Sequence, residues 1–196
     1  MRLRVHTARP NRSAVPPSAA AAFLCMMAAA CMVPLAVAPP PEQAVVVPAP
    51  AEHAEVARGV VAEANRVRRE AGLPGLVDND TLARAALEHA RELAQTRVLD
   101  HTSRTPGRET VTLRIEAAGG TWRAAAENLA QTHGAAARVP AEVVRMWQGS
   151  PGHHRNVFSD VYTHTGVGVA VDTRGYWYVV QLYVRPPAAP PQRRPR

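Results

Sequence analysis

From Thr165 onward the hydrophobic period changes, and that change constrains the fold more than any other feature of the chain. Thr165–Val171 and Tyr176–Val184 are rich in Val, Tyr and Trp, and Asp172-Thr173-Arg174-Gly175 separates them. Two such runs around a short polar connection predict a β-hairpin. Upstream the spacing is helical. Val56, Val60, Ala64, Val67 and Ala71 share one face, and Gly72 stops that helix. Asp80 is the expected N-cap of a second helix, whose apolar face is Leu82, Ala86, His89 and Leu93. Residues 100–108 form a polar loop, and a shorter helix is expected from about Arg108 to Ala118, ended by Gly119-Gly120. Pro140 opens another helix with Val143, Val144 and Trp147. Ser150 as N-cap and Pro151 at the first helical position predict a short helix to about Val157. Helices first and strands last imply an α+β domain over residues 51–185, with no internal repeat.

The ends have a different character. Residues 1–18 are polar with scattered Arg, and residues 19–38 are uncharged and mostly Ala, Met, Val and Leu. A basic segment followed by an apolar one is an export pattern, and Ala36-Val37-Ala38 resembles a small-residue cleavage site. Residues 1–38 are therefore either a signal peptide or an N-terminal membrane anchor, since about 20 apolar residues can span a bilayer. Lipid attachment at Cys31 is a third version. All three place the domain outside the cytoplasm, and membrane contact is expected only through this segment if it is uncleaved. Residues 39–50 read as a Pro-rich linker, and residues 186–196 as a disordered Pro/Arg tail.

The net charge of +7 suggests nucleic acid at first sight, but its distribution argues otherwise. Four Arg against Glu42 lie in residues 1–50 and three Arg in residues 186–196, which leaves +1 for the body. No nucleic-acid partner is expected. Cys25 and Cys31 both lie in the apolar N-terminal stretch, so disulfides and thiol catalysis are excluded for the domain.

Three short pieces of the body carry chemistry: His101 in Leu99-Asp100-His101-Thr102, Glu127 in Ala126-Glu127-Asn128-Leu129, and His153 in Ser150-Pro151-Gly152-His153. Two imidazoles and a carboxylate are the makings of a polar pocket or a metal site. As ligands of a divalent metal such as zinc they would leave an open position for water. The alternative is a His–Glu–His hydrogen-bond cluster fixing sheet to helices. At the third position of a short helix, His153 would be held neutral by the positive helix terminus. Asn128 is expected to orient Glu127 or its backbone. His89 on its apolar face is expected to be a core histidine, and His133, His154 and His164 receive no role. Gly166 and Gly168 within a strand are expected to permit close packing. Alternation places Tyr176 and Tyr178 on one face and Trp177 on the other, so that one face is expected to reach a groove. There is neither a Gly-x-Ser-x-Gly elbow nor a His-Glu-x-x-His pair.

The body resembles the CAP superfamily of cysteine-rich secretory, antigen 5 and pathogenesis-related proteins, bacterial type. The resemblance runs from about Glu55 to Val184. It rests on Asn65-Arg66-Val67-Arg68 before Ala71-Gly72-Leu73-Pro74-Gly75-Leu76, on the His101 motif, on Ala126-Glu127-Asn128-Leu129, on Trp147 through Asn156, and on Gly166-Val167-Gly168-Val169 with Tyr178-Val179-Val180-Gln181. It implies an α-β-α sandwich with a central antiparallel sheet, usually secreted, and a cavity lined by two His and two acids. His101, Glu127 and His153 match three of those four positions. After Trp147 comes Gln148-Gly149-Ser150-Pro151, so the fourth, a Glu, is absent. The resemblance thus implies an exported protein whose His/Glu cavity, with Asn128 beside it, binds a lipid, peptide or envelope component, or a divalent metal. The alternative is a metal-dependent hydrolase, protease- or esterase-like, in the same cavity, with Glu127 as general base if it is not a ligand.

Overall fold

In the computed structural model, residues 50–188 are described; the N-terminal export segment, most of the linker and most of the tail lie outside them. The elements are α1 (Pro50–Glu70), β1 (Val77–Asp78), α2 (Asp80–Thr96), α3 (Val111–Ala117), β2 (Ala124–His133), α4 (Val139–Gly149), α5 (Pro151–Val157), β3 (His164–Val171) and β4 (Tyr176–Arg185), with a 3-10 turn at Ala136–Arg138. No helix among them is long and apolar enough to cross a membrane.

The sheet order is β1-β3-β4-β2. β3 and β4 form the expected hairpin, and β2 pairs antiparallel with β4 over all ten of its residues. β1 adds two residues in parallel to the far side of β3. Alternation along the central strand builds two cores. Trp177, Val179 and Tyr183 face one layer, with Val60, Val143, Trp147 and Val157 of α1, α4 and α5. Tyr178, Val180, Leu182 and Val184 face the other, with Leu82, Ala86, Leu93 and Ile115 of α2 and α3. This is the α-β-α sandwich. Trp177 and Tyr178 are both buried, so the aromatic faces line cores and reach no groove; Tyr176 alone of the three is exposed.

Two local expectations are corrected. The N-cap of α2 is Asn79, whose side chain accepts from the Leu82 N–H at 3.0 Å, and Asp80 is the first helical residue. Asn79→Ala should cost about 1 kcal/mol in chemical denaturation. At α5, Ser150 occupies the cap position without a side-chain capping bond. Gly166 and Gly168 face α2, where an added Cβ would lie 2.3 Å from the Ala83 nitrogen and 2.1 Å from the Leu87 nitrogen. Close packing is why glycine stands there.

Candidate functional site

Glu127 sits on β2, an edge strand, with its side chain toward α2 and α3. Its neighbour across the ladder is Leu182, which belongs to that layer. Its side chain is only 3% exposed, yet both carboxylate oxygens are engaged. Oε2 accepts from Arg114 Nη2 at 2.5 Å, and Oε1 accepts from His101 Nδ1 at 2.9 Å. A carboxylate cannot donate when ionised, so His101 carries its proton on Nδ1 and turns Nε2 outward. The His101 side chain is 59% exposed. The hydrogen bond that it donates to Glu127 raises its pKa above the usual histidine value, against the opposing effect of partial burial.

The loop carrying His101 is fastened from behind. Arg114 Nη1 donates to the carbonyls of His101 at 3.1 Å and Arg108 at 3.2 Å. Glu92 accepts from Ser103 Oγ and from the Arg104 N–H, each at 2.5 Å. His89 Nε2 lies 3.0 Å from the Asp100 carbonyl, so it must be the protonated nitrogen. His89 is thus the buried histidine expected, but it serves the site by pinning the residue next to His101. Burial, followed by the charge of Arg114, lowers its pKa.

His153 lies on α5, in the opposite layer. Asn128, one residue after Glu127, points that way because side chains alternate along a strand. It makes no bond to the Glu127 carboxylate, and its link to the Glu127 backbone runs through Asn156. Its Nδ2 donates to the His153 carbonyl at 3.1 Å and to the Tyr183 hydroxyl at 3.3 Å, and its Oδ1 accepts from Asn156 at 2.8 Å. Asn156 also donates to the Glu127 carbonyl at 3.3 Å. Asn128 therefore positions α5 against the edge of the sheet. The His153 pKa is lowered by burial and then by the charge of His101. The two imidazoles should titrate to opposite sides of about 6.5 in an NMR pH series. Because the His101 pKa is raised on folding, its bond to Glu127 stabilises fully below its unfolded value and loses that contribution as pH rises through the folded one.

Of the three residues singled out in the sequence, His101 and Glu127 are joined by a hydrogen bond, while His153 stands on α5, its carbonyl held by Asn128 and its imidazole near enough to feel the charge of His101. Among the described residues no three His, Cys, Asp or Glu groups are arranged to hold a metal ion. The donor set gives the reason. The carboxylate that would ligate zinc is already seated on a guanidinium, and a cation entering there would meet Arg114. The zinc set expected from the sequence does not fit this arrangement.

Sequence reasoning misses Arg114, which is 2% exposed and holds both the carboxylate and the loop. It heads the Arg114–Gly119 stretch that precedes the Glu127 motif, a position that does not distinguish a buried arginine from a surface one. Arg68 belongs to the Asn65–Arg68 motif, which by itself gives it no role. It is fully buried and donates to the carbonyls of Pro74, Val157 and Ser159, tying the end of α1 to the end of α5.

The model of the cysteine-rich secretory protein family (CAP) matches residues 61–183. An uncharacterised protein of Bacillus subtilis (strain 168), YkwD, is 30% identical over 129 residues, 66% of this chain and 48% of that protein. The chain therefore spans about half the length of that curated relative. Among solved structures, an outer surface protein of Borrelia burgdorferi superposes with a TM-score of 0.59 at 24% identity, covering 68% of this chain and 94% of the other. An extracellular protein containing an SCP domain, from Bacillus anthracis str. Ames, gives a TM-score of 0.58 at 22% identity, covering 68% of this chain and 41% of the other.

Proposed function

From the premise that this chain belongs to the cysteine-rich secretory protein family, we propose that it is an exported binding module that holds an envelope component through His101. One observation carries the reading. A buried, fully engaged carboxylate orients an imidazole whose other nitrogen faces solvent. Glu127 and Arg114 fix the ring and its tautomer, and Nε2 is left to meet a ligand. Below the raised pKa of His101 that nitrogen is a charged donor, suited to a phosphate, carboxylate or carbonyl oxygen. His153, whose pKa is lowered by burial and by the charge of His101, supplies a second polar group of opposite titration.

Placement outside the cytoplasm is supported by the basic-then-apolar N-terminal segment. The descriptions of the Bacillus anthracis protein as extracellular and of the Borrelia burgdorferi protein as an outer surface protein agree with it. Glu127 is not free to act as a general base, because both of its oxygens are committed. Binding is therefore the reading the geometry favours.

Titration of isotope-labelled protein with anionic phospholipid vesicles and with soluble peptidoglycan fragments tests it. One of these probes should shift the His101 ring signals, and His101→Ala should weaken that binding about ten-fold or more, the worth of one charge-assisted hydrogen bond. Binding of equal strength in His101→Ala would remove the site from consideration.

A further inference from the structure

The His89 side chain is wholly shielded from solvent, although imidazoles titrate near neutral pH. Nε2 is committed, since it donates to the Asp100 carbonyl at 3.0 Å. Nδ1 therefore carries no proton while the ring is neutral, and this buried nitrogen has no hydrogen-bond partner among the described residues. Glu92 Oε2 stands 3.5 Å from it, beyond the ordinary hydrogen-bond length. In the neutral state neither of these two atoms has a proton to give.

Glu92 is meanwhile taken up by the loop that carries His101. Its Oε2 accepts from Ser103 Oγ and its Oε1 from the Arg104 N–H, and Ser103 Oγ in turn accepts from the Thr105 N–H at 3.1 Å. His89 and Glu92, three residues apart on α2, thus fasten the loop on both sides of His101: Asp100 before it, Ser103 and Arg104 after it. The charged groups facing the ring are Glu92 on its own helix, Arg114 from α3 and Glu127 from β2. Glu127 is already matched by Arg114 and His101. A second proton on His89 would place a charge in a site closed to water and beside a guanidinium, while Glu92 faces other donors. Burial and the charge of Arg114 prevail over the two carboxylates, and the His89 pKa lies below the ordinary value. Lifting the loop admits water to the ring and returns it toward that value. Protons therefore bind the lifted state more tightly. Closure is fully stabilised above about 6.5 and weakens as pH falls from there toward the lowered pKa.

We propose that His89 is a proton-operated latch, whose second proton frees the loop over residues 100–108 from α2 and lets His101 leave its seat on Glu127. The other groups of the loop do not supply this response. The bond to Glu127 raises the His101 pKa, so the charging of His101 tightens the loop as pH falls. Glu92 and Asp100 titrate below their ordinary values and stay ionised over the same interval. The latch is a property of the loop alone; that it governs binding rests on the contact through His101 proposed above. An envelope component held through His101 would then be let go in mild acid.

The test uses the full chain without ligand, its histidine ring nitrogens and backbone amides followed by NMR from about pH 8 to 5. Exchange protection of the Ser103 and Arg104 amides should fall below about pH 6.5, by up to about ten-fold per pH unit, in step with the His89 ring. The amides of β4 should keep theirs. In His89→Gln, whose side-chain amide can still donate to the Asp100 carbonyl, the fall should vanish; in His153→Gln it should persist. Protection of the loop that rises or stays level would overturn the proposal, because Glu92 would then meet the new proton with the loop in place. A fall shared by β4 would overturn it as loss of the whole fold. So would a fall that survives in His89→Gln or disappears in His153→Gln. Where His89→Gln does not fold, the wild-type titration decides: a loop midpoint that departs from that of the His89 ring overturns the latch. No reading here involves a ligand, so failure of the latch leaves binding through His101 standing, and failure of vesicle and peptidoglycan binding leaves the latch standing.

Discussion

Arg114→Met should destabilise the domain by about 3–5 kcal/mol, the cost of leaving a buried carboxylate without its cation. Glu127 is 7% exposed, and Arg114 is its only permanently charged partner among the described residues. The same substitution withdraws the donor to the carbonyls of His101 and Arg108, so the loop over residues 100–108 should also lose amide protection. Denaturation of Arg114→Met, Glu127→Leu and the double variant separates these effects. Replacing both ends of a buried ion pair by apolar groups is often close to neutral. The double variant should therefore recover most of the loss, but not the part owed to the loop carbonyls. Equal losses in the single and double variants would show that Arg114 acts through the loop alone.

Gly168→Ala should cost about 3 kcal/mol or more, at the upper end of overpacking penalties. In a domain of this size that corresponds to a fall in Tm of roughly 6–12 °C by thermal denaturation. The added Cβ would meet the backbone of Ala86 and Leu87 at 2.2 and 2.1 Å, and no side-chain rotation relieves a clash with backbone. α2 would have to move off β3. His89 and Glu92 ride on α2 and hold Asp100, Ser103 and Arg104, so the shift should reach the His101 ring signals. A methyl group tolerated without a change in Tm would mean that α2 stands further from β3 than these contacts require.

The residue patterns make much of the fold legible. The hairpin of β3 and β4 is announced by β-branched and aromatic runs, and α1, α2, α4 and α5 by helical spacing and Pro positions. β2 is not legible in this way. Ala124–His133 has four Ala with one Glu, one Leu and one Gln, residues of high helix propensity, and becomes a strand because β4 offers it a ladder of ten pairs. That gap matters for the site. Without a strand at Glu127 there is no alternation, and without alternation nothing shows that Glu127 and Asn128 face opposite layers.

The sequence by itself marked the short motifs of His101, Glu127, Asn128 and His153 as the place to look for chemistry. It also determined that the ends, not the domain, hold the charge. Only the tertiary structure decided what those residues are to one another. Placing Glu127 on an edge strand, between Arg114 of one helix and His101 of a pinned loop, turned an expected metal ligand into a buried counter-ion. The physical reason is that a side chain's function depends on the partners that close its valences. Those partners are thirteen and twenty-six residues away along the chain, where spacing and propensity carry no information.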